Sequence, residues 1–142
     1  MADQGTEVGR LAAIEAIGRL LVAYGRALDA RDYAGYARLF AEDGEWVGGT
    51  VYGAIRGRAA IEAFVTETFG GPAARPCVHV MTNFAIDVVG DAATVWSRWT
   101  LLEPRGDGAP HVALCGQYDD ELVRSDGTWL FRSRSVTVDF PA

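Results

Sequence analysis

Leu11, Ile14, Ile17, Leu21, Tyr24 and Leu28 recur at steps of three and four along the chain. That spacing places them on one face of a helix spanning about residues 8–30. Asp32 is positioned to cap a short second helix over 33–40, and the acidic turn Ala41-Glu42-Asp43-Gly44 ends it. Two short strands over 45–47 and 51–55 flank a turn at Gly48-Gly49. A third helix is expected over 58–69, with Ile61, Phe64, Val65 and Phe69 inward, and Gly70-Gly71-Pro72 stops it. Four longer strands follow over 77–89, 93–103, 110–124 and 128–140. The segments between them, Gly90-Asp91, Arg105-Gly106-Asp107-Gly108 and Ser125-Asp126-Gly127, have hairpin chemistry. Helices first and an antiparallel meander afterwards define an α+β fold. A long curved sheet wrapped around an amphipathic helix makes a cone, and pockets favour its open mouth.

The 142 residues suit one domain spanning residues 1–142, large enough to bury a real core. No apolar run approaches the roughly 20 residues of a membrane span. The opening MADQGTEVGR lacks the apolar core of a signal peptide, so a cytoplasmic protein is expected. A net charge of −6 without a basic stripe argues against nucleic-acid partners. All 13 basic residues are arginine, which excludes a Schiff-base lysine. Cys77 and Cys115 lie in predicted strands with no CxxC spacing, and read as two buried thiols.

Two polar residues stand out against this pattern. Asp29 falls in the last turn of the first helix, where the helix dipole disfavours a carboxylate by about 0.3–1 kcal/mol. Gly18, Val22 and Gly25 lead up to it on the same row, and glycines there leave space beside a carboxylate at a cavity edge. The alternative is an exposed aspartate paired with Arg26 or Arg31. His79 opens the first long strand, with Met81 and Asn83 on the same face by strand parity. One ring nitrogen can accept a substrate proton while a carboxylate holds the other, the arrangement of a general base. The alternative is a structural histidine with both nitrogens satisfied. His111 follows a turn and reads as exposed and incidental. No HExxH, GxSxG, Walker loop or GxGxxG occurs, so neither a metal nor a phosphate cofactor is expected.

The strings YGRALDARDYAGYARLF, HVMTN, GQYDDELVRSDGTWLF and RSRS resemble the SnoaL-like branch of the nuclear transport factor 2-like superfamily, from about Ile14 to Phe140. The resemblance implies a cone-shaped barrel of a curved, mixed, mostly antiparallel sheet wrapped around N-terminal helices. Its site pattern is similar to scytalone dehydratase, bile acid 7α-dehydratase and hexachlorocyclohexane dehydrochlorinase. These share positions matching Asp29 and His79, and some share positions matching Tyr24 and Arg134. The resemblance implies a cofactor-free dehydratase or cyclase, a lyase or isomerase acting on a small hydrophobic polyketide, steroid or aromatic alcohol. His79 is then the base and Asp29 its orienting carboxylate. Tyr24 or Tyr118 donates a hydrogen bond, and Arg134 stabilises an anion or pairs with Asp119, Asp120 or Glu121. Trp46, Phe64, Met81, Asn83 and Tyr118 are the candidate pocket residues. Tyr24 and Asp29 lie about 140° apart on an ideal helix, so both reach one pocket only if it wraps the helix end.

The chain departs from scytalone dehydratase at three places. Leu102-Glu103-Pro104 stand where that enzyme has a second histidine, Leu28 where it has a tyrosine, and Gly116 with Tyr118 where it has a polar pair. The rival readings are a non-catalytic ligand-binding or assembly module, an epoxide hydrolase built on Arg98 with Asp29, and a carboxylate-based isomerase. The resembled families form homo-oligomers through their sheets, so a homodimer is expected, with a trimer as the alternative.

Overall fold

In the computed structural model, which describes residues 4–141, the chain forms ten elements. They are α1 (Gln4–Asp29), α2 (Tyr33–Ala37), β1 (Phe40–Val47), α3 (Gly49–Tyr52), β2 (Ala54–Arg56) and α4 (Arg58–Gly70), then β3 (Val78–Val89), β4 (Ala92–Pro104), β5 (Pro110–Ser125) and β6 (Thr128–Phe140). The α1 stripe buries from its middle onward. Ile17, Leu21, Tyr24 and Leu28 are buried and Ile14 is half-buried. Leu11 remains 53% exposed, because the first turns of α1 lack a covering element.

The strands form one sheet in the order β2-β1-β6-β5-β4-β3. β1 runs parallel to β6, and every other neighbouring pair is antiparallel. The sheet is mixed and curved, with free edges at β2 and β3. The barrel is therefore an open wrap around the helices. Ile17, Phe40, Ile61 and Phe131 are fully buried between the layers, each side chain contributing about 1.5–3 kcal/mol.

Four local expectations differ from the structure. The segment 41–44 is part of β1 rather than a turn. Phe40 is buried opposite Phe131, and the ladder shifts register before Glu45. As a result α2 ends at Ala37. The segment expected to start a strand at Val51 is the helical turn α3, and the strand begins at Ala54. Cys77 precedes β3, and both cysteines are half-buried free thiols. His111 is half-buried, and among the described residues Nδ1 has no hydrogen-bond partner.

Candidate active site

α1 ends at Asp29, after which Arg31 takes a left-handed conformation with φ of 58°. Asp32 then caps α2 by accepting from the Gly35 N–H at 2.8 Å. This turn presents the Asp29 carboxylate to the start of β3. β3 is an edge strand, so one side of its backbone has no neighbouring strand. The His79 backbone N–H uses that freedom, donating to Asp29 Oδ1 at 3.1 Å and Oδ2 at 3.2 Å. His79 Nδ1 lies 2.8 Å from Asp29 Oδ1. The carboxylate thus grips both the backbone and the ring of one residue. These bonds offset the unfavourable helix-end position, and a carboxylate, which only accepts, favours the tautomer that carries the proton on Nδ1.

The His79 side chain is 6% exposed and that of Asp29 27%. The ring packs edge-on to Phe69, with centroids 5.6 Å apart. It lines a cavity of about 270 Å³ between the helices and the sheet. Tyr24, Tyr36 and Tyr118 also line this cavity, as do Trp46, Phe64 and Trp99. Among the described residues, no aspartate, glutamate or arginine lines it. Trp46, Tyr52 and Phe64 form a cluster with centroids 4.7–5.9 Å apart. Tyr52 and Val51 are well exposed, which places α3 at the mouth. A more open depression of about 380 Å³ contains Asp87, Asp119 and Glu121. By strand parity these residues lie on the opposite face of the sheet. Among the described residues, that depression is lined by no histidine or tyrosine.

Three phenols gather at the inner wall. The Tyr36 hydroxyl donates to that of Tyr24 at 2.9 Å, and the Tyr24 and Tyr118 hydroxyls also interact. The Arg134 guanidinium lies 4.0 Å from the Tyr24 ring centroid, 3.8 Å from Tyr118 and 4.4 Å from Phe131. It is fully buried and bidentate to Asp120, with both bonds at 2.7 Å. Burial opposes its charge, but Asp120 outweighs burial and holds the guanidinium above its ordinary value. Burial raises the Asp120 carboxyl, against the pull of Arg134. Burial also pushes the Tyr36 and Tyr118 hydroxyls well above the usual phenol range, and neighbouring Tyr24 adds to this.

The folded chain therefore holds these phenolic protons more tightly than the unfolded chain does. The resulting stability is present in full below about pH 10 and declines as the pH rises past it. Tyr118→Phe has no such proton to lose. It is expected to flatten the fall in Tm above about pH 10, as followed by circular dichroism. A slope identical to the wild type contradicts this assignment.

The structure brings His79, Tyr24, Tyr118, Trp46 and Phe64 to one cavity. Asp29 holds His79 from outside the lining, so Tyr24 and Asp29 need not share a wall despite their angular separation. Three other expected residues fall elsewhere. Arg134 is not an anion site, because Asp120 occupies it and three rings cover it. Asn83 has φ of 59° at a bulge between Thr82 and Ala85, which turns it to solvent. Met81 lies outside the lining and packs near Gly25. A Cβ on Gly25 would meet Met81 Sδ at 3.6 Å and His79 Cβ at 3.8 Å. Gly25 therefore marks a close approach of α1 to β3 rather than open space.

The rival sites do not assemble. Arg98 pairs with Asp139 at 2.6 Å rather than with Asp29, and among the described residues no carboxylate lines the cavity to act as an isomerase base. Tyr36 was not anticipated, because a five-residue helix is too short to display a periodic stripe.

The layered helices and open mixed sheet, with a polar constellation set in an apolar cavity, define a protein of the NTF2-like α+β class. Within it, the chain belongs to the SnoaL-like domain family, which matches over residues 9–135. An NTF2-like protein with a cystatin-like fold from Novosphingobium aromaticivorans is 24% identical, with a TM-score of 0.85 over 100% of this chain and 94% of that one. That likeness concerns the fold. ActVI-ORFA from Streptomyces coelicolor is 32% identical, with a TM-score of 0.79 over 90% of this chain and 98% of that one. A candidate scytalone dehydratase from Novosphingobium aromaticivorans is 29% identical, with a TM-score of 0.79 over 92% and 87%. A comparison with curated proteins gives no match. Among the described residues, no helix is long and apolar enough to cross a membrane.

Proposed function

We propose that this protein is a lyase or isomerase of the dehydratase or cyclase kind, working by proton abstraction from carbon. The observation that supports it best is the His79 ring, held by Asp29 at 2.8 Å while lining an apolar cavity. Nε2 takes a proton from a carbon made acidic by a neighbouring carbonyl or leaving group. Asp29 fixes the tautomer and stabilises the imidazolium as it forms. Tyr24, supported by the Tyr36 hydroxyl, donates to the oxygen that gains charge or departs. The lining contains no carboxylate or guanidinium, which suits a neutral substrate. At about 270 Å³, near the low end of the roughly 300–1,000 Å³ common for ligand sites, the cavity suits a small aromatic or polyketide-like molecule better than a steroid. The similarity to a candidate scytalone dehydratase supports the same class.

The test is a panel of neutral hydroxylated aromatics and polyketide-like carbon acids. Loss of water or ring closure is followed by mass spectrometry, in wild type and in Asp29→Asn. An asparagine amide that donates to Nδ1 would place the histidine proton on Nε2, where it blocks the base. Turnover in the wild type that falls at least about 10²-fold in the variant is expected. Undiminished turnover in Asp29→Asn would sink the dyad.

A further inference from the structure

The carboxylate that holds His79 also has a third neighbour. One ligand atom from each of Asp29, Cys77 and His79 lies within 4.8 Å of the others. Cys77 lies two residues before His79, just ahead of β3. Asp29 meets them from the end of α1. A second pocket, of about 120 Å³, opens beside this trio and is lined by Asp29, Cys77 and Phe69 among others. His79 lines the larger cavity and Asp29 and Cys77 the smaller, with Phe69 in both walls, so the trio stands between the two spaces.

We propose that Asp29, Cys77 and His79 form a binding site for a thiophilic divalent cation, zinc above all, entered from the smaller pocket. Sulfur, imidazole nitrogen and carboxylate oxygen make a donor set suited to zinc, with solvent as the fourth ligand. Bonds of about 2.0–2.3 Å put tetrahedral ligand atoms about 3.3–3.6 Å apart. Side-chain rotations that bring the farther atoms from within 4.8 Å to that spacing, and open the 2.8 Å Asp29–His79 contact to it, complete the site. A water needs about 30 Å³ of liquid volume, so the smaller pocket has room for the ion's solvent ligand.

The thiol must lose its proton on binding. Burial and the nearby Asp29 and Glu103 charges oppose that loss in the metal-free protein, whereas Arg31 favours it. Arg75, which also borders the pocket, is paired with Glu103 at 3.4 Å. Thiolate and carboxylate together neutralise the ion.

Binding has a consequence that rests on the catalytic reading above. A metal on Nδ1 takes the lone pair there and leaves the ring proton on Nε2. The base is then blocked without any contact between metal and substrate, so inhibition is not relieved by raising substrate concentration.

Binding itself is tested independently of catalysis. The purified protein is titrated with Zn²⁺ by calorimetry and with Co²⁺ by absorption, alongside Cys77→Ser and Cys77→Ala. One ion per chain and a thiolate-to-cobalt charge-transfer band are expected. Both variants should lose the band and bind Zn²⁺ at least about tenfold more weakly. Equal affinity in wild type and both variants overturns the site, as does one-to-one binding with no thiolate band. If the site binds zinc but no substrate is ever turned over, the metal proposal stands and the catalytic reading falls.

Discussion

In a His79→Gln variant, turnover falls by about 10²–10⁴-fold, the range typical of a lost general base. Glutamine is chosen because its amide can still donate toward Asp29, and the backbone N–H to Asp29 remains. The fold is therefore expected to survive, with Tm close to wild type. The loss should appear in kcat more than in KM, because the base acts in the transition state rather than in binding. A variant that keeps its activity would place the proton transfer elsewhere, with the phenols of Tyr24, Tyr36 and Tyr118 the candidates deep in the cavity. A variant that simply unfolds would mark the Asp29–His79 contact as structural.

The second large effect concerns stability. Arg134 and Asp120 form a bidentate pair with both side chains fully buried. Removing one partner leaves an uncompensated charge in the core, which costs about 3–5 kcal/mol. Arg134→Met and Asp120→Leu are each expected to lower the urea midpoint accordingly. The double variant should recover much of the loss, since a packed apolar pair often matches a buried ion pair in stability. Arg134 also leaves one nitrogen, Nη1, without a hydrogen-bond acceptor among the described residues. The three aromatic faces around the guanidinium supply part of its stabilisation. Catalysis per folded molecule should fall far less than in His79→Gln. A loss as large as that of His79→Gln in a folded Arg134→Met protein would return Arg134 to the reaction itself.

Much of this architecture was legible in the chain. Steps of three and four gave α1 its buried face, and the four long strands with their hairpin turns gave the meander β3 to β6. The pairing of Asp29 with His79 came from family resemblance. Both residues broke the local pattern, one by its charge at a helix end and one by its polarity in a strand. What the pattern hid was non-local. Parity along β3 holds from His79 to Met81 and then fails, because a single left-handed residue, Asn83, shifts the register. The segment 41–44 reads as a turn from composition, yet pairing with β6 draws it into a strand. Tyr36 joins the site through the Tyr24 hydroxyl, twelve residues earlier in the chain, on a helix too short to announce itself. The Arg134–Asp120 pair was one of several options in sequence, and only the register of β5 against β6 selects it.

The most direct measurement is deuterium exchange. Small neutral ketones and phenolic carbon acids that fit the cavity are incubated with the protein in D₂O, and the acidic carbon position is followed by NMR. Exchange reports proton abstraction alone, whether or not elimination or ring closure follows. The account predicts that the wild-type protein accelerates exchange in at least one such compound, and that His79→Gln, still folded, does not. Exchange that proceeds equally in both proteins would contradict it.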